Sequence, residues 1–238
     1  MFNDKLKLIG DSLREHGAEL FPHSWLLRVK LFCLRRVFGF SNSHIASALM
    51  DERYRAEAVA LVSNLHPQTV VEFGSGLGNM IARVDARKRI GFDVDRGAIG
   101  GARFLNGDTA QYFCASFLDS EIVVRTLLGI DVQSIDVLVL TNWIHKVPTE
   151  HILRGLAAIH GRIPIRYLLL ETIRPEFTGC AHQLATADLA RFGDLIGGIE
   201  VDEIRSLHIV SLASFESNQL FRLRQAVASA TGQTSSQL

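Results

Sequence analysis

The stretch VVEFGSGLGN (residues 70–79) joins an apolar strand pattern to three closely spaced glycines. Glycines after a buried strand permit positive φ angles and let a ligand approach the main chain. A dinucleotide-binding loop has the spacing G-x-G-x-x-G, whereas Gly74, Gly76 and Gly78 form a G-x-G-x-G glycine loop. Glu72 precedes this loop inside the strand, where its carboxylate would repel a pyrophosphate and attract a cationic or amine-bearing ligand. We expect a helix after the loop, with free N–H groups at its start.

A second acidic position ends the next apolar run, RIGFDV (residues 89–94). Asp93 follows Glu72 at close to the spacing of about 20 residues at which an acid on the second strand accepts the hydroxyls of a ribose. A 2′-phosphate would be repelled there, which argues against NADP. A simpler interpretation, in which Asp93 only stabilises a turn or caps a helix, stays open.

The chain from residue 70 onwards alternates short apolar runs with helical patterns. Five runs, in TVVEFG, RIGFDV, QYFCASF, IDVLVLTN and RYLLLETI, are continuous enough for strands buried on both faces. Their alternation with helices predicts an α/β fold with a doubly wound, Rossmann-like sheet. IEVDEIRSLHIVSLASF (199–215) and QLFRLRQA (219–226) are separated only by ESN, which predicts a terminal antiparallel hairpin and about seven strands in all.

The patterns divide the chain into three parts. Residues 1–65 are helical in pattern, beginning with DKLKLIGDSLREHG (4–17), and predict a helical extension that acts as a lid. Within it, SWLLRVKLFCLRRVFGF (24–40) has four cations on an apolar helix; a solvated face is the first interpretation, and a membrane surface or an acidic partner is the alternative. Residues 66–226 are predicted to form the α/β domain, and residues 227–238 a flexible polar tail.

Composition narrows the function classes. The 238 residues are 47% hydrophobic, and 25 basic residues balance 25 acidic ones. Without net charge, a nucleic-acid partner is not expected. No apolar run suggests a membrane span or a signal peptide, so membrane insertion is not expected. Cys33, Cys114 and Cys180 have neither disulfide nor metal-site spacing, which favours a reducing, cytoplasmic location.

The chain resembles the class I S-adenosylmethionine-dependent methyltransferases over residues 55–224. VVEFGSGLG is similar to the family's first motif, GFDVD to its second and IDVLVLTNWIHKVP to its fourth-strand motif, while the hairpin resembles its antiparallel seventh strand. The resemblance implies S-adenosylmethionine as cofactor and a methyl group transferred to a nitrogen or oxygen of a small-molecule metabolite. It also implies that the methionyl part lies over the glycine loop near Glu72, and the ribose beside Asp93.

The resemblance assigns further cofactor contacts. After the third strand, where the family often has an acid for the adenine amino group, this chain has Ser116 and Phe117. Asp108 and Asp119 are the alternatives for that contact. Asn142, at the end of the fourth strand, would lie beside the transferred methyl group.

The acceptor site is expected at the ends of the fourth and fifth strands. His145 is the candidate general base, since histidine titrates near neutral pH, and a structural role stays open. Trp143, Glu171 and Arg174 are the candidate substrate contacts, and Tyr54 is expected to close over the methionyl carboxylate. No cluster has metal-ligand spacing, so no metal is expected.

Two other functions stay open. An NAD-dependent oxidoreductase would have a related sheet, although the glycine spacing, the acid and the hairpin argue against it. A methyltransferase-like module without catalysis, acting through partners, is the second, because Ser116 stands where the family often has an acid and His145 has a structural alternative. The sequence predicts no particular oligomeric state.

Overall fold

The computed structural model describes residues 21–50, 52–174, 176–177 and 181–215. The predicted helix at 4–17, the second hairpin strand at 219–226 and the tail at 227–238 lie outside these ranges. The first three helices are α1 (Phe21–Phe38), α2 (Asn42–Met50) and α3 (Glu52–Ser63).

A seven-stranded sheet with the order β3-β2-β1-β4-β5-β7-β6 follows these helices. The first five strands pair in parallel, and β7 pairs antiparallel with both β5 and β6. The predicted doubly wound sheet with a terminal antiparallel hairpin is therefore confirmed. The strands are β1 (Thr69–Phe73), β2 (Lys88–Asp93), β3 (Gln111–Cys114), β4 (Ile135–Leu140), β5 (Ile165–Ile173), β6 (Asp194–Glu200) and β7 (Arg205–Ser211).

Helices cover both faces of the sheet because side chains alternate along each strand. Three of these helices follow strands: α4 (Arg96–Asn106), α5 (Ser120–Gly129) and α6 (Thr149–His160). Val71 and Phe73 belong to an apolar cluster with α5 and α6, whereas Val70 belongs to a second cluster with α3 and α4. Short 3-10 turns span Ile81–Arg83, Gly107–Thr109, Ile144–Lys146 and Thr186–Arg191.

The described part of the chain has a hairpin within 194–211, whereas the sequence predicted a single strand over 199–215. The apolar run 199–215 does not form one strand, because Asp202 accepts hydrogen bonds from the N–H groups of Ile204 (2.9 Å) and Arg205 (2.7 Å) and closes a turn. That turn joins β6 to β7. Gly197 and Gly198 lie inside β6 and conceal it in the sequence, since glycine is disfavoured in strands.

The helix expected after the glycine loop does not form. Residues 74–87, all of them described, contain only the 3-10 turn Ile81–Arg83. Gly78 has a φ of +76°, Val84 returns to an extended conformation, and the N–H of Asp85 donates to Ser63 Oγ at 3.1 Å. The segment is thus turned back to β2 before an α-helix can develop.

The N-terminal helices pack directly against the ligand edge of the sheet. Leu31 and Leu34 of α1 form a buried cluster with Phe40, with Leu77 of the glycine loop and with Ala98 of α4. This contact fixes α2 above the glycine loop. None of the described helices is long and apolar enough to cross a membrane.

Candidate functional site

A pocket of about 570 Å³ lies at the carboxyl ends of β1, β2 and β4. In the sheet, β2 lies on one side of β1 and β4 lies on the other, so the strand order reverses at β1. Open α/β sheets bind ligands at this switch point. The walls come from the glycine loop, the ends of β2 and β4, the loop after β3, and residues of α2 and α3.

The glycine loop needs glycine for space as well as for conformation. Gly74 has a φ of +73°, and a Cβ there would collide with the indole ring of Trp143. Gly76 has a φ of +54°, and its Cβ would lie 3.0 Å from Nδ1 of His44. A side chain at Gly74 would therefore displace Trp143 from the pocket floor, and one at Gly76 would press against His44 of α2.

Two backbone N–H groups in and just after the glycine loop donate hydrogen bonds to acidic side chains. The N–H of Gly76 donates to Asp93 Oδ2 at 2.8 Å, and the N–H of Ile81 donates to Glu72 Oε2 at 3.2 Å. In a phosphate-binding loop such amides are directed at the ligand. Here the buried acidic side chains of Asp93 and Glu72 accept these hydrogen bonds instead, so the site favours a ligand without phosphate.

Glu72 is buried in the pocket wall, on the sheet face covered by α3 and α4. Burial, together with the nearby Asp93, raises its pKa to about 8, against the opposing effect of the hydrogen bond from Ile81 N–H. The carboxyl group therefore holds a proton at neutral pH. A cationic ligand beside it would favour the charged carboxylate.

Asp93 stabilises the turn after β2 and also lines the pocket. Its Oδ1 accepts a hydrogen bond from the N–H of Asp95 at 2.8 Å, while Oδ2 holds the glycine loop. A carboxylate has about four lone-pair sites, so these two bonds leave acceptor capacity for ligand hydroxyls. Helix capping belongs to Asp95, which accepts from the N–H groups of Gly97 and Ala98.

His44 of α2 is a pocket residue that the sequence did not single out. Its Nε2 lies 3.2 Å from Asp95 Oδ2, and the same oxygen accepts from Ser41 N–H at 3.1 Å. Burial alone would raise the pKa of Asp95, but hydrogen bonds, led by the one from Ser41, hold it below its usual value. Because His44 lies in a helical pattern without a motif, only the folded chain places it over Gly76.

Trp143 forms the floor of the pocket. Its indole N–H donates to the carbonyl oxygen of Phe73, at the end of β1, at 2.7 Å. Its ring also packs against Phe117, with centroids 5.5 Å apart. Asn142, in a left-handed conformation with a φ of +64°, donates its N–H to Glu171 Oε2 at 2.7 Å. The end of β4 is thereby fixed to β1 and β5.

The far side of the pocket is apolar. Val94, after β2, and Leu118, after β3, line it and are exposed to solvent. Ser116 Oγ accepts from the N–H of Leu118 at 3.2 Å, which closes the turn between them. Phe117 lines the pocket too, but most of its ring is buried against Phe73.

A smaller pocket of about 290 Å³ adjoins the first, and Asn142 and Lys146 line both. Its wall includes His145 and Glu171, both buried, with His145 Nε2 and Glu171 Oε2 3.2 Å apart. Within the described part of the chain, Nδ1 of His145 has no hydrogen-bond partner. His145 thus lies beside the smaller pocket, not among the described residues that line the larger one.

Tyr54 and Arg174 differ in their placement. Tyr54 is buried, lines the larger pocket and lies under the guanidinium of Arg205, 4.6 Å from its ring centroid. Arg174 lies 3.3 Å from Glu200 and is not among the described lining residues of either pocket. Among the described residues, no group of three or more His, Cys, Asp or Glu could hold a metal ion.

Comparison with known proteins finds similarity in structure alone. No protein-family model and no curated protein matches the sequence. The N-methyltransferase NodS from Bradyrhizobium japonicum WM9, in complex with S-adenosyl-L-homocysteine, superposes with a TM-score of 0.56 at 13% identity, covering 75% of this chain and 96% of NodS. An O-methyltransferase family protein from Burkholderia thailandensis gives 0.54 at 14% identity, covering 71% of this chain and 57% of that one.

A third similar structure has a different type of acceptor in its name. Magnesium protoporphyrin IX methyltransferase from Synechocystis PCC 6803, with bound S-adenosyl-L-homocysteine, gives a TM-score of 0.51 at 14% identity and covers 76% of this chain and 93% of that one. The sheet order and the antiparallel β7 agree with this group of structures. The chain therefore has the fold of the class I S-adenosylmethionine-dependent methyltransferases.

Proposed function

We propose that this protein is a methyltransferase that binds S-adenosylmethionine in the larger pocket and methylates a nitrogen or oxygen of a small molecule. The observation that carries the proposal is the joint placement of the glycine loop, Glu72 and Asp93 around one pocket at the switch point of the sheet. A helical lid over residues 1–65, supported by the α2 residues in the pocket wall, and a cytoplasmic location belong to the same proposal.

The lining fits each part of this cofactor. Asp93 has acceptor capacity for the two ribose hydroxyls, and Glu72 offers a carboxyl group to the cationic methionyl end. Val94 and Leu118 provide apolar surface for the adenine ring, with Ser116 and Phe117 between β3 and that surface. NodS, which shares the fold, was solved with S-adenosyl-L-homocysteine, the demethylated form of this cofactor.

The same lining disfavours a nicotinamide dinucleotide. The amide of Gly76 donates to the buried carboxylate of Asp93 and the amide of Ile81 to the buried carboxyl group of Glu72, so neither amide is free for a pyrophosphate. The segment after the loop is a 3-10 turn, so it lacks the helix N-terminus that stabilises a pyrophosphate in dinucleotide-binding folds. We therefore favour the methyltransferase over the oxidoreductase.

The acceptor is proposed to enter the smaller pocket, which shares Asn142 and Lys146 with the larger one. The bound cofactor would supply an electrophilic methyl group, and the walls would align the acceptor with it. Such alignment is worth up to roughly 7–11 kcal/mol in well-oriented reactions. Trp143, held by Phe73, excludes water from the floor between the two pockets.

His145 is the proposed base for an acceptor that must lose a proton. When Nε2–H donates to Glu171, the imidazole is fixed as the tautomer with a lone pair on Nδ1. That nitrogen is buried without a partner among the described residues, and as the base it would take a proton from a hydroxyl or ammonium group that reaches it, a step worth about 10²–10⁴-fold in rate. Glu171 orients the ring, and Arg174 would contact only a large acceptor that extends beyond both pockets.

Calorimetric titration with S-adenosylmethionine, S-adenosylhomocysteine, NAD and NADP tests the proposal. We expect micromolar binding of the two adenosyl-sulfur ligands and none of the nicotinamide cofactors. Binding of NAD alone would favour the oxidoreductase. If no ligand bound, a module that acts through partners would become the better interpretation.

A further inference from the structure

Helix α1 carries a cluster of positive charges, although the net charge of the chain is zero. The chain has 25 basic and 25 acidic residues. The helix FPHSWLLRVKLFCLRRVF contains four cations and no aspartate or glutamate, and two of the cations stand in its last turn. Its surface therefore presents a local positive field even though the protein as a whole is neutral. The cations are Arg28, Lys30, Arg35 and Arg36.

The same helix is apolar on two opposite faces. Leu31 (2% exposed) and Leu34 (7% exposed) pack into the cluster that contains the glycine loop. Trp25 (62% exposed) and Phe32 (55% exposed) point to solvent, with Val29 between them. Spacings of four and three residues place these three side chains on one face of a helix, which we call the α1 outer face.

Cations flank the α1 outer face on both sides. Arg28 precedes Val29 and Lys30 follows it, so the two lie on opposite flanks of the apolar stripe. Arg36 continues the stripe, with its guanidinium carbon 5.9 Å from the centroid of the Phe32 ring. An apolar stripe bordered by Lys and Arg and containing a Trp is the pattern of helices that lie in a membrane interface.

The inner side of α1 continues onto α4 through Phe38, which packs against the buried cluster. The ring of Phe38, at the end of α1, lies 5.8 Å from that of Phe104, which is exposed. Helix α4 (RGAIGGARFLN) likewise contains no acidic residue. Acidic side chains flank α4, in its cap residue Asp95 and in the exposed Asp108 that follows it, so the local excess of cations belongs to α1.

We propose that the α1 outer face docks on an anionic lipid surface. A lipid interface accommodates both parts of the pattern, because the aromatic and aliphatic side chains enter the headgroup boundary while Arg28 and Lys30 meet lipid phosphates. A soluble acidic peptide would match the cations but leave Trp25 and Phe32 in contact with water. The inference concerns a surface outside both pockets and does not depend on the proposed methyltransferase activity.

Sedimentation of the full chain with vesicles tests the inference. We expect the protein to sediment with vesicles of phosphatidylcholine mixed with phosphatidylserine and to stay in solution with phosphatidylcholine alone. Added salt should release it, since salt screens the attraction between exposed charges. Absence of binding to the anionic vesicles, or binding unaffected by salt and by lipid charge, would overturn the proposal.

Variants locate the binding face. Arg28→Gln and Lys30→Gln should each lower the partition constant about fivefold, and Trp25→Ser should lower it about tenfold or more. These side chains are exposed, so folding should persist. The matched control is Ile122→Ser with Arg125→Gln on α5, another exposed apolar and basic pair. An equal loss in the control would refute the assignment to α1.

A second copy of the chain is the competing occupant of this face. Light scattering without vesicles distinguishes it, because a dimer that Trp25→Ser dissociates would show the α1 outer face to be a protein interface. A monomer that binds anionic vesicles through Trp25 supports the proposal.

Discussion

At the scale of single residues, Asp93 has the most demanding position, because one carboxylate holds the glycine loop and the turn after β2. We predict that Asp93→Ala weakens S-adenosylmethionine binding at least about tenfold, since the ribose loses a charged hydrogen-bond acceptor. Calorimetry measures the change. Asp108→Ala, at an exposed acid on the turn before β3, is the control and should bind as the parent does. Equal affinity in Asp93→Ala would refute the ribose assignment.

The raised pKa of Glu72 predicts how the free energy of unfolding depends on pH. Its pKa is about 8 in the folded chain, against a usual 4.5, so the folded state keeps a proton that the unfolded state loses. The free energy of unfolding should therefore fall as pH rises from about 4.5 to 8. Glu72→Gln cannot ionise, and we predict that it gains stability over the parent between pH 5 and pH 8, on the order of a few kcal/mol.

Urea unfolding at the two pH values measures this gain, and groups that titrate in both proteins cancel in the difference. A difference between Glu72→Gln and the parent that does not change with pH would show that Glu72 ionises as freely as in water.

His145 makes a prediction about turnover. His145→Ala should lower kcat by about 10²-fold or more on a protic acceptor, because the base is lost, and should leave cofactor affinity unchanged. Glu171→Gln should lower kcat less and shift its pH profile, since the ring loses the carboxylate that fixes its tautomer. His151→Ala, on the exposed side of α6, is the control. An unaltered rate in His145→Ala would remove it as the base.

At the scale of elements, α4 is tied to the N-terminal helices through its cap. Asp95 caps α4 through Gly97 and Ala98 and also accepts from Ser41 N–H. We predict that Asp95→Ala lowers the free energy of unfolding by about 1–2 kcal/mol. Asp119 begins α5 without a side-chain cap bond, so Asp119→Ala is a matched control that should cost much less.

The cost of Asp95→Ala should depend on pH in the opposite sense to that of Glu72. The pKa of Asp95 is lowered below its usual 3.8 in the folded chain. The stabilisation is present above pH 4 and is lost as pH falls through the folded pKa. Unfolding curves at pH 7 and pH 3 measure this loss. Equal costs for Asp95→Ala and Asp119→Ala at pH 7 would contradict the capping role.

The sequence predicts the five parallel strands well and the elements that join them less well. Buried parallel strands are near-continuous apolar runs, and nothing else in the chain resembles them. The sequence does not reveal β6, because Gly197 and Gly198 weaken its strand signal. It does not reveal the turn at Asp202 either, because that turn lies inside an apolar run. The sequence does not reveal that the helix after the glycine loop is absent. The N–H groups of Ile81 and Asp85 donate instead to Glu72 and Ser63, which are distant in the sequence.

The residues of the candidate site also fall into two groups, those that the sequence predicts and those that it does not. The glycine spacing with Glu72 and Asp93 is local in sequence, so these residues could be assigned before folding. His44 and the pairing of His145 with Glu171 depend on contacts between distant segments, which periodicity does not encode. Propensity is a local signal, and a pocket is built from long-range contacts.

At the scale of the whole molecule, the walls of the larger pocket come from segments that are far apart in the sequence. Its walls combine α2 and α3 with the ends of β1, β2 and β4, so a ligand there would hold the N-terminal helices to the sheet. Helix α1 meets α4 through the cluster around Leu31 and Leu34, which leaves its outer face turned away from the pocket. Cofactor binding and surface docking can therefore be measured separately on the same protein.

A ligand that bridges these parts should raise the melting temperature. At a free concentration 100 times Kd, binding to the folded state alone adds about 2.7 kcal/mol, or about 5–10 °C for a chain of this size. We predict this shift with S-adenosylmethionine and none with NAD. Asp93→Ala should keep about half of this shift or less at the same concentration, because a tenfold higher Kd leaves about 1.4 kcal/mol. Asp108→Ala should keep all of it, because only Asp93 lines the pocket. A shift with NAD alone would mean that the acidic groups of this loop tolerate a pyrophosphate, and the argument from the glycine loop for a methyl donor would fail with it.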